Sequence, residues 1–138
     1  MLDFTGEFGQ RAAARLQQDE IIWLTTVGRD GMPQPSPVWF LWEDDTVTIF
    51  SKPDAPKIAN IRRAGQVALH FNTDPGGDNV VVLTGQAKVA DESATDAVSD
   101  AYLSKYAAGI KNLGMSTGQM TAEYSAVIRI TPTKLRGF

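Results

Sequence analysis

Apolar and polar positions along the chain switch between two periods. In Glu7 to Gln18, Phe8, Ala12 and Leu16 recur four apart, with Arg11, Arg15 and Gln18 on other faces, which predicts an amphipathic opening helix. From Ile21 to Val27 the period drops to two, Ile21, Trp23, Thr25 and Val27 alternating with Ile22, Leu24 and Thr26. GRDG at Gly28 to Gly31 then supplies a hairpin turn. The returning strand, Gln34 to Trp42, has Pro33, Pro35 and Pro37 in or beside its first half, and residues without an amide donor belong at an edge, a bulge or a barrel mouth. Glu43 to Asp45 is a polar turn before a short strand, Thr46 to Ser51. Asp54 is placed to cap a helix that carries Pro56 in its first turn, runs to about Ala64 and turns Ile58 and Ile61 inward. Val67, Leu69 and Phe71 mark another strand, and PGGD at Pro75 to Asp78 returns the chain into a long one, Val80 to Ala90. Ser93 to about Lys111 reads as one helix capped by Ser93, Asn112 to Gly118 as turns, and Tyr124 to Leu135 as the last strand.

Six or so strands joined mainly by hairpins, with two to three helices, predict an antiparallel barrel of α+β, mainly β, type; a parallel sheet would need a helix after nearly every strand. With 138 residues and no internal repeat, one domain over residues 1–138 is expected. No apolar run approaches the roughly 18 to 20 residues that span a bilayer, and no apolar leader opens the chain, so a cytoplasmic protein is expected. The absence of cysteine excludes disulfide, thiolate and cysteine–metal chemistry. Thirteen Lys and Arg against sixteen Asp and Glu give a net charge of −3, which argues against a nucleic-acid partner.

Catalytic signatures of the common hydrolases, metalloproteases and nucleotide-binding loops are missing. His70, the one histidine, lies in the strand-like VALHFN without a base, nucleophile or metal partner beside it, and a structural role is expected; no metal site is predicted. Charge is locally concentrated. Between Lys52 and Arg63, Lys52, Lys57, Arg62 and Arg63 face the single acid Asp54, a local +3. In SKPDAPKIANIRR a strand ends in Ser51 and Lys52 and a helix begins at Lys57, so hydroxyl, ammonium groups and first-turn amides can meet one phosphate. On charge alone, a solvated basic helix face accounts for the cluster equally well.

The stretches TTVGRDGMPQPSPVWFLWEDDTVTIFS, PKIANIRRAGQVALHF, VVLTGQAKV and YSAVIRITPTKLRGF together resemble the pyridoxamine 5′-phosphate oxidase-like split β-barrel superfamily, whose strand ends and xKxxNIxxxP-type helix contact a flavin phosphate. PVWF, NIRR and the ITPTKLRGF ending are similar to its actinobacterial branch that uses the deazaflavin coenzyme F420, the FDOR-B type. That resemblance implies an FMN-binding-like split barrel and a homodimer with cofactor sites at its interface. It implies an F420-dependent oxidoreductase moving hydride between cofactor and a small organic substrate. An FMN-binding reductase or oxidase is the alternative, as is a cofactor- or haem-binding barrel without turnover, the latter with His70 as ligand. Lys52 and Lys57 would hold the cofactor phosphate, Ser51 and Asn60 would add neutral hydrogen bonds, and Arg62 or Arg63 would reach an acidic tail. The ring would lie along Ser36, Pro37, Val38, Trp39 and Phe40, taking contacts from main-chain amides, with Trp39 and Phe40 pointing oppositely. Solvent, Tyr124 or Tyr106 would protonate the product, and packing is the favoured role of both tyrosines. The segments Pro75 to Asn79 and Gly114 to Tyr124 would approach the partner's site, and Val80, Val82 and the tryptophans would sit at the interface. The chain ends in KLRGF where pyridoxamine phosphate oxidases carry an RLxP-type tail, so oxidation of that substrate is not expected.

Overall fold

A computed structural model describes residues 2–138. Its elements run α1 (Gly6–Gln18), β1 (Ile22–Val27), β2 (Pro33–Val38), β3 (Leu41–Glu43), β4 (Thr46–Ser51), α2 (Pro56–Arg63), β5 (Gln66–His70), β6 (Val81–Ser93), α3 (Ala94–Ala97), α4 (Asp100–Asn112), α5 (Thr117–Glu123) and β7 (Ala126–Gly137). All strand pairs are antiparallel, in the order β2-β1-β5-β6-β7-β4-β3.

That order explains the barrel. Its two edge strands, β2 and β3, are consecutive in the chain and separated only by Trp39 and Phe40, so the sheet has to curl until its edges nearly meet. Pro33, Pro35 and Pro37 lie opposite Val27, Thr25 and Trp23 on β1, and on an edge strand their ring nitrogens can face the open side without costing the β1 ladder a donor. The same prolines give β3 nothing to pair with, and the barrel stays split there. Ile22, Leu24, Phe40, Val47, Ile49, Leu69, Leu83, Ile128 and Ile130 fill its interior, closed at one end by Ala12 and Leu16 of α1. The long strands β6 and β7 change register at Gly85, where a Cβ would lie 2.3 Å from the Thr131 carbonyl oxygen; glycine permits the close crossing.

Five helices form where two to three were expected. The predicted helix from Ser93 breaks at Val98 into α3 and α4, because the Ser99 side chain accepts from the Tyr102 amide and starts a new helix. In α5, Ser116 and Gln119 form a reciprocal capping box, so a helix starts within the last residues of the Asn112 to Gly118 segment expected to be turns and runs on past it. Ala55, rather than Asp54, is the N-cap of α2, with Pro56 in its first turn. The Asp44–Asp45 turn has φ of 54° and 56°, the left-handed pair that suits a two-residue hairpin. A second cluster, Tyr102, Tyr106, Ile110 and Met120, packs α4 and α5 against the outside of the split.

Candidate cleft at the split of the barrel

At the split, the main chain of Phe40 has no strand partner. Its amide donates to the Tyr106 hydroxyl (2.9 Å) and its carbonyl accepts from Lys105 Nζ (2.8 Å), both on α4. Tyr106 in turn donates to the Glu20 carbonyl (2.6 Å). Buried main-chain groups need partners, and α4 supplies them here in place of a strand. Lys105 lies 3.7 Å from the Phe40 ring centroid, and burial lowers its pKa to about 8. Trp39 points the other way from Phe40, as alternation predicts: Phe40 is sealed in the barrel, while Trp39 stacks on Tyr106 at 4.6 Å and 6°.

Beside this crossing lies a half-open cleft of about 340 Å³. Pro37, Val38 and Trp39 form one side, Phe50 and Lys57 the floor of β4 and α2, and Tyr102, Met120 and Tyr124 the helical side. Trp39, Tyr106, Tyr102 and Phe50 make a continuous aromatic row, with successive centroids 4.6, 4.9 and 4.6 Å apart. Grooves of about 600 and 640 Å³ elsewhere are wider and shallower, along α4–α5 and along the first residues of the chain. The 340 Å³ cleft differs from them in its polar groups. Lys57 is half-buried, forms no ion pair or hydrogen bond among the described residues, and burial alone pushes its ammonium below the usual lysine value. Tyr102 is 2% exposed and lines the cleft, and its hydroxyl has no partner among the described residues; burial pushes its pKa up, so it stays protonated. Its oxygen is not fully enclosed, which leaves it reachable from the cleft.

Of the residues singled out in the sequence, the structure brings Pro37, Val38, Trp39 and Lys57 together in the cleft. The others stand elsewhere. Ser36 pairs with Leu24 of β1 and is not among the residues that line the cleft. Phe40 is in the core, and its amide, expected to face a ring, is taken by Tyr106. The Ser51 hydroxyl is buried and donates to the Lys52 carbonyl (3.0 Å). Lys52 pairs with Glu123 (3.3 Å) and lies 5.7 Å from the Tyr124 ring, at the rim. Asn60 is buried and donates to Thr26 Oγ1 (3.0 Å) and Gln34 Oε1 (2.9 Å). Arg63 bonds Asn60 (2.9 Å) and the Val27 carbonyl (2.7 Å), and Arg62 is exposed. His70 is stacked on Trp23 at 6.0 Å and 3°, away from the cleft lining. Tyr106 is committed to Phe40 and Glu20, whereas Tyr124 does line the cleft. Met120 of α5 also lines the cleft. Among the described residues no cluster of three His, Asp or Glu could hold a metal ion, and no helix is long and apolar enough to cross a membrane. Sequence reading missed Tyr102 and Met120, which in a helix look like ordinary core positions.

The fold is a split barrel with an aromatic-walled cleft at its open edge and the Lys57 ammonium in its lining. Residues 8–138 match the pyridoxamine 5′-phosphate oxidase family, and the chain belongs to it. Among solved structures it is similar to a conserved hypothetical protein from Mycobacterium tuberculosis (TM-score 0.74, 20% identity, covering 96% of this chain and 84% of that one). It is similar to an FAD-binding protein from Mesorhizobium loti (TM-score 0.68, 17% identity, 91% and 90%). It is also similar to an F420 reductase (TM-score 0.66, 20% identity, 89% and 94%). At these identities the likeness is one of fold. Among curated proteins, none matches the sequence.

Proposed function

We propose that this chain is an oxidoreductase that holds the deazaflavin coenzyme F420 in the cleft and passes hydride between it and a small organic substrate. The observation that carries this reading is Lys57, a half-buried ammonium without a protein counter-ion at the floor of an aromatic-walled cleft. Such a charge calls for an anionic occupant, and the wall beside it suits a flat ring. The cleft's volume, about 340 Å³, lies at the small end of ligand pockets, about 300 to 1,000 Å³, which fits a ring-sized portion with a tail outside. Bound there, the coenzyme would supply hydride chemistry from its own ring carbon. The chain's part is to orient and to dry the site: Lys57 holds the phosphate, Trp39, Val38 and Pro37 flank the ring, and Met120 and Tyr124 exclude water. Lys52 and Arg62, toward the rim and on the exposed face of α2, are placed to meet the acidic tail. A second copy of the chain would cover the open side near Leu113, which is 50% exposed, and light scattering at dimer mass is expected.

The test is a fluorescence titration of the purified protein with F420 and, separately, FMN. F420 is expected to bind, and Lys57→Ala to weaken it by about tenfold to a hundredfold, the worth of a charge-assisted contact. Preference for FMN would make the protein a flavoprotein reductase or oxidase, and binding of neither would overturn the cleft as a cofactor site. The pH dependence has a definite sign. A bound phosphate favours the charged ammonium that burial disfavours, so binding takes up a proton once Lys57 is neutral in the free protein. Affinity should therefore fade as pH rises through a Lys57 pKa lying below the ordinary 10.5.

A further inference from the structure

We infer that Tyr102 is a ligand-binding residue of the cleft, its hydroxyl donating a hydrogen bond to an acceptor atom, a carbonyl or ring nitrogen, on the flat group bound there. This deepens the reading above and rests on it. The geometry is that of a donor held ready. Tyr102 stands on the buried stripe of α4 one turn before Tyr106, its amide fixed by Ser99 and its ring tilted between Phe50 and Tyr106. Tyr106, in the same stripe, has its hydroxyl fully engaged with Phe40 and Glu20. Tyr102 has the same burial and no such partner among the described residues, yet its ring borders the cleft. The hydroxyl oxygen is not fully enclosed, so it remains reachable from the cleft, and a position filled only for packing would be served as well by phenylalanine. With Lys57 it gives the cleft two different recognition points, a cation for an anionic group and a neutral donor for a polar atom of the ring. A site built to hydrogen-bond discriminates strongly against analogues that lack the acceptor.

Tyr102→Phe, which removes one oxygen and keeps the ring, is the test. In the ligand-free protein the melting temperature is expected to stay or rise, since no internal hydrogen bond is lost; a clear fall would show that the hydroxyl serves the fold and would overturn the inference. Titrated with F420 and FMN, the variant is expected to bind whichever cofactor the wild type binds about three- to tenfold more weakly, a net hydrogen bond's worth. The visible absorption band of the bound chromophore should shift relative to wild type, which a packing role would not produce. Unchanged affinity and band in Tyr102→Phe, with binding still lost in Lys57→Ala, would overturn the role of Tyr102 and leave the cofactor reading standing. Failure of the wild type to bind either cofactor would overturn both.

Discussion

The two ends of α2 carry side chains of similar chemistry and put them to opposite use. Toward its C-terminus, Asn60 is 5% exposed and fills its amide with Thr26 and Gln34, while Arg63 bridges Asn60 and the Val27 carbonyl. This network ties the helix to the β1–β2 hairpin. One turn earlier, Lys57 is half-buried with no partner among the described residues. Polar groups whose bonding capacity is met inside the chain hold the chain together; one left open beside a cavity is available to a ligand. Substitution at the two ends should therefore separate stability from binding. Asn60→Ala leaves Thr26, Gln34 and Arg63 short of partners and should cost about 2 to 3 kcal/mol, a fall in Tm of roughly 5 to 15 °C. Lys57→Ala removes a desolvated charge and should leave Tm unchanged or slightly raised. Thermal melts of both variants check this, and the reverse order would break the distinction.

The same contrast marks what was legible in the sequence. The barrel was, since period-two alternation, turn residues and the three edge prolines each speak locally for their own position. The split was not. Val38 to Trp42 is an unbroken apolar run, and the crossing at Trp39 and Phe40 depends on Lys105 and Tyr106, more than sixty residues further on. Likewise, the basic run Lys52 to Arg63 suggested an anion site, but which of its members are tied up within the chain was decided by partners on other elements: Gln34 and Thr26 for Asn60, Glu123 for Lys52. Tyr102 was hidden for the opposite reason, because a tyrosine in a helical stripe looks like core until a partner for its hydroxyl is sought. The spacing Ser116 to Gln119 was a readable capping box and marks α5.

A smaller change sharpens the comparison from the cleft side. Gly109 on α4 lies against the Trp39 indole, and a Cβ there would sit 2.9 Å from two of its ring carbons. Alanine gains about 1 kcal/mol in helix propensity over glycine, while overpacking typically costs about 1 to 3 kcal/mol, so the net change in Gly109→Ala should lie between about zero and a loss of about 2 kcal/mol. Trp39, pinned on its other face by Tyr106, has to shift within the cleft wall. Near-UV circular dichroism should change and cofactor affinity should fall severalfold, with Tm unchanged or lowered by less than in Asn60→Ala. An unchanged affinity would mean that the Trp39 wall does not touch the bound group.

The weakest effect belongs to the pair at the rim. Lys52 and Glu123 are both about half exposed and 3.3 Å apart, and Glu123 raises the Lys52 pKa through this contact. Exposed pairs of this kind contribute little to folding, because both ions are well solvated and salt screens them, so Glu123→Gln should leave Tm within about 1 °C. What the substitution does change is competition. Glu123 occupies an ammonium that, beside Tyr124 at the cleft's edge, is placed to meet the anionic portion of a ligand. Releasing it should raise cofactor affinity by about two- to threefold at low ionic strength, and the gain should vanish as salt is added. If the gain persists at high salt, Glu123 acts by shaping the cleft through α5, and Lys52 belongs with Asn60 and Arg63 among the residues that serve the fold.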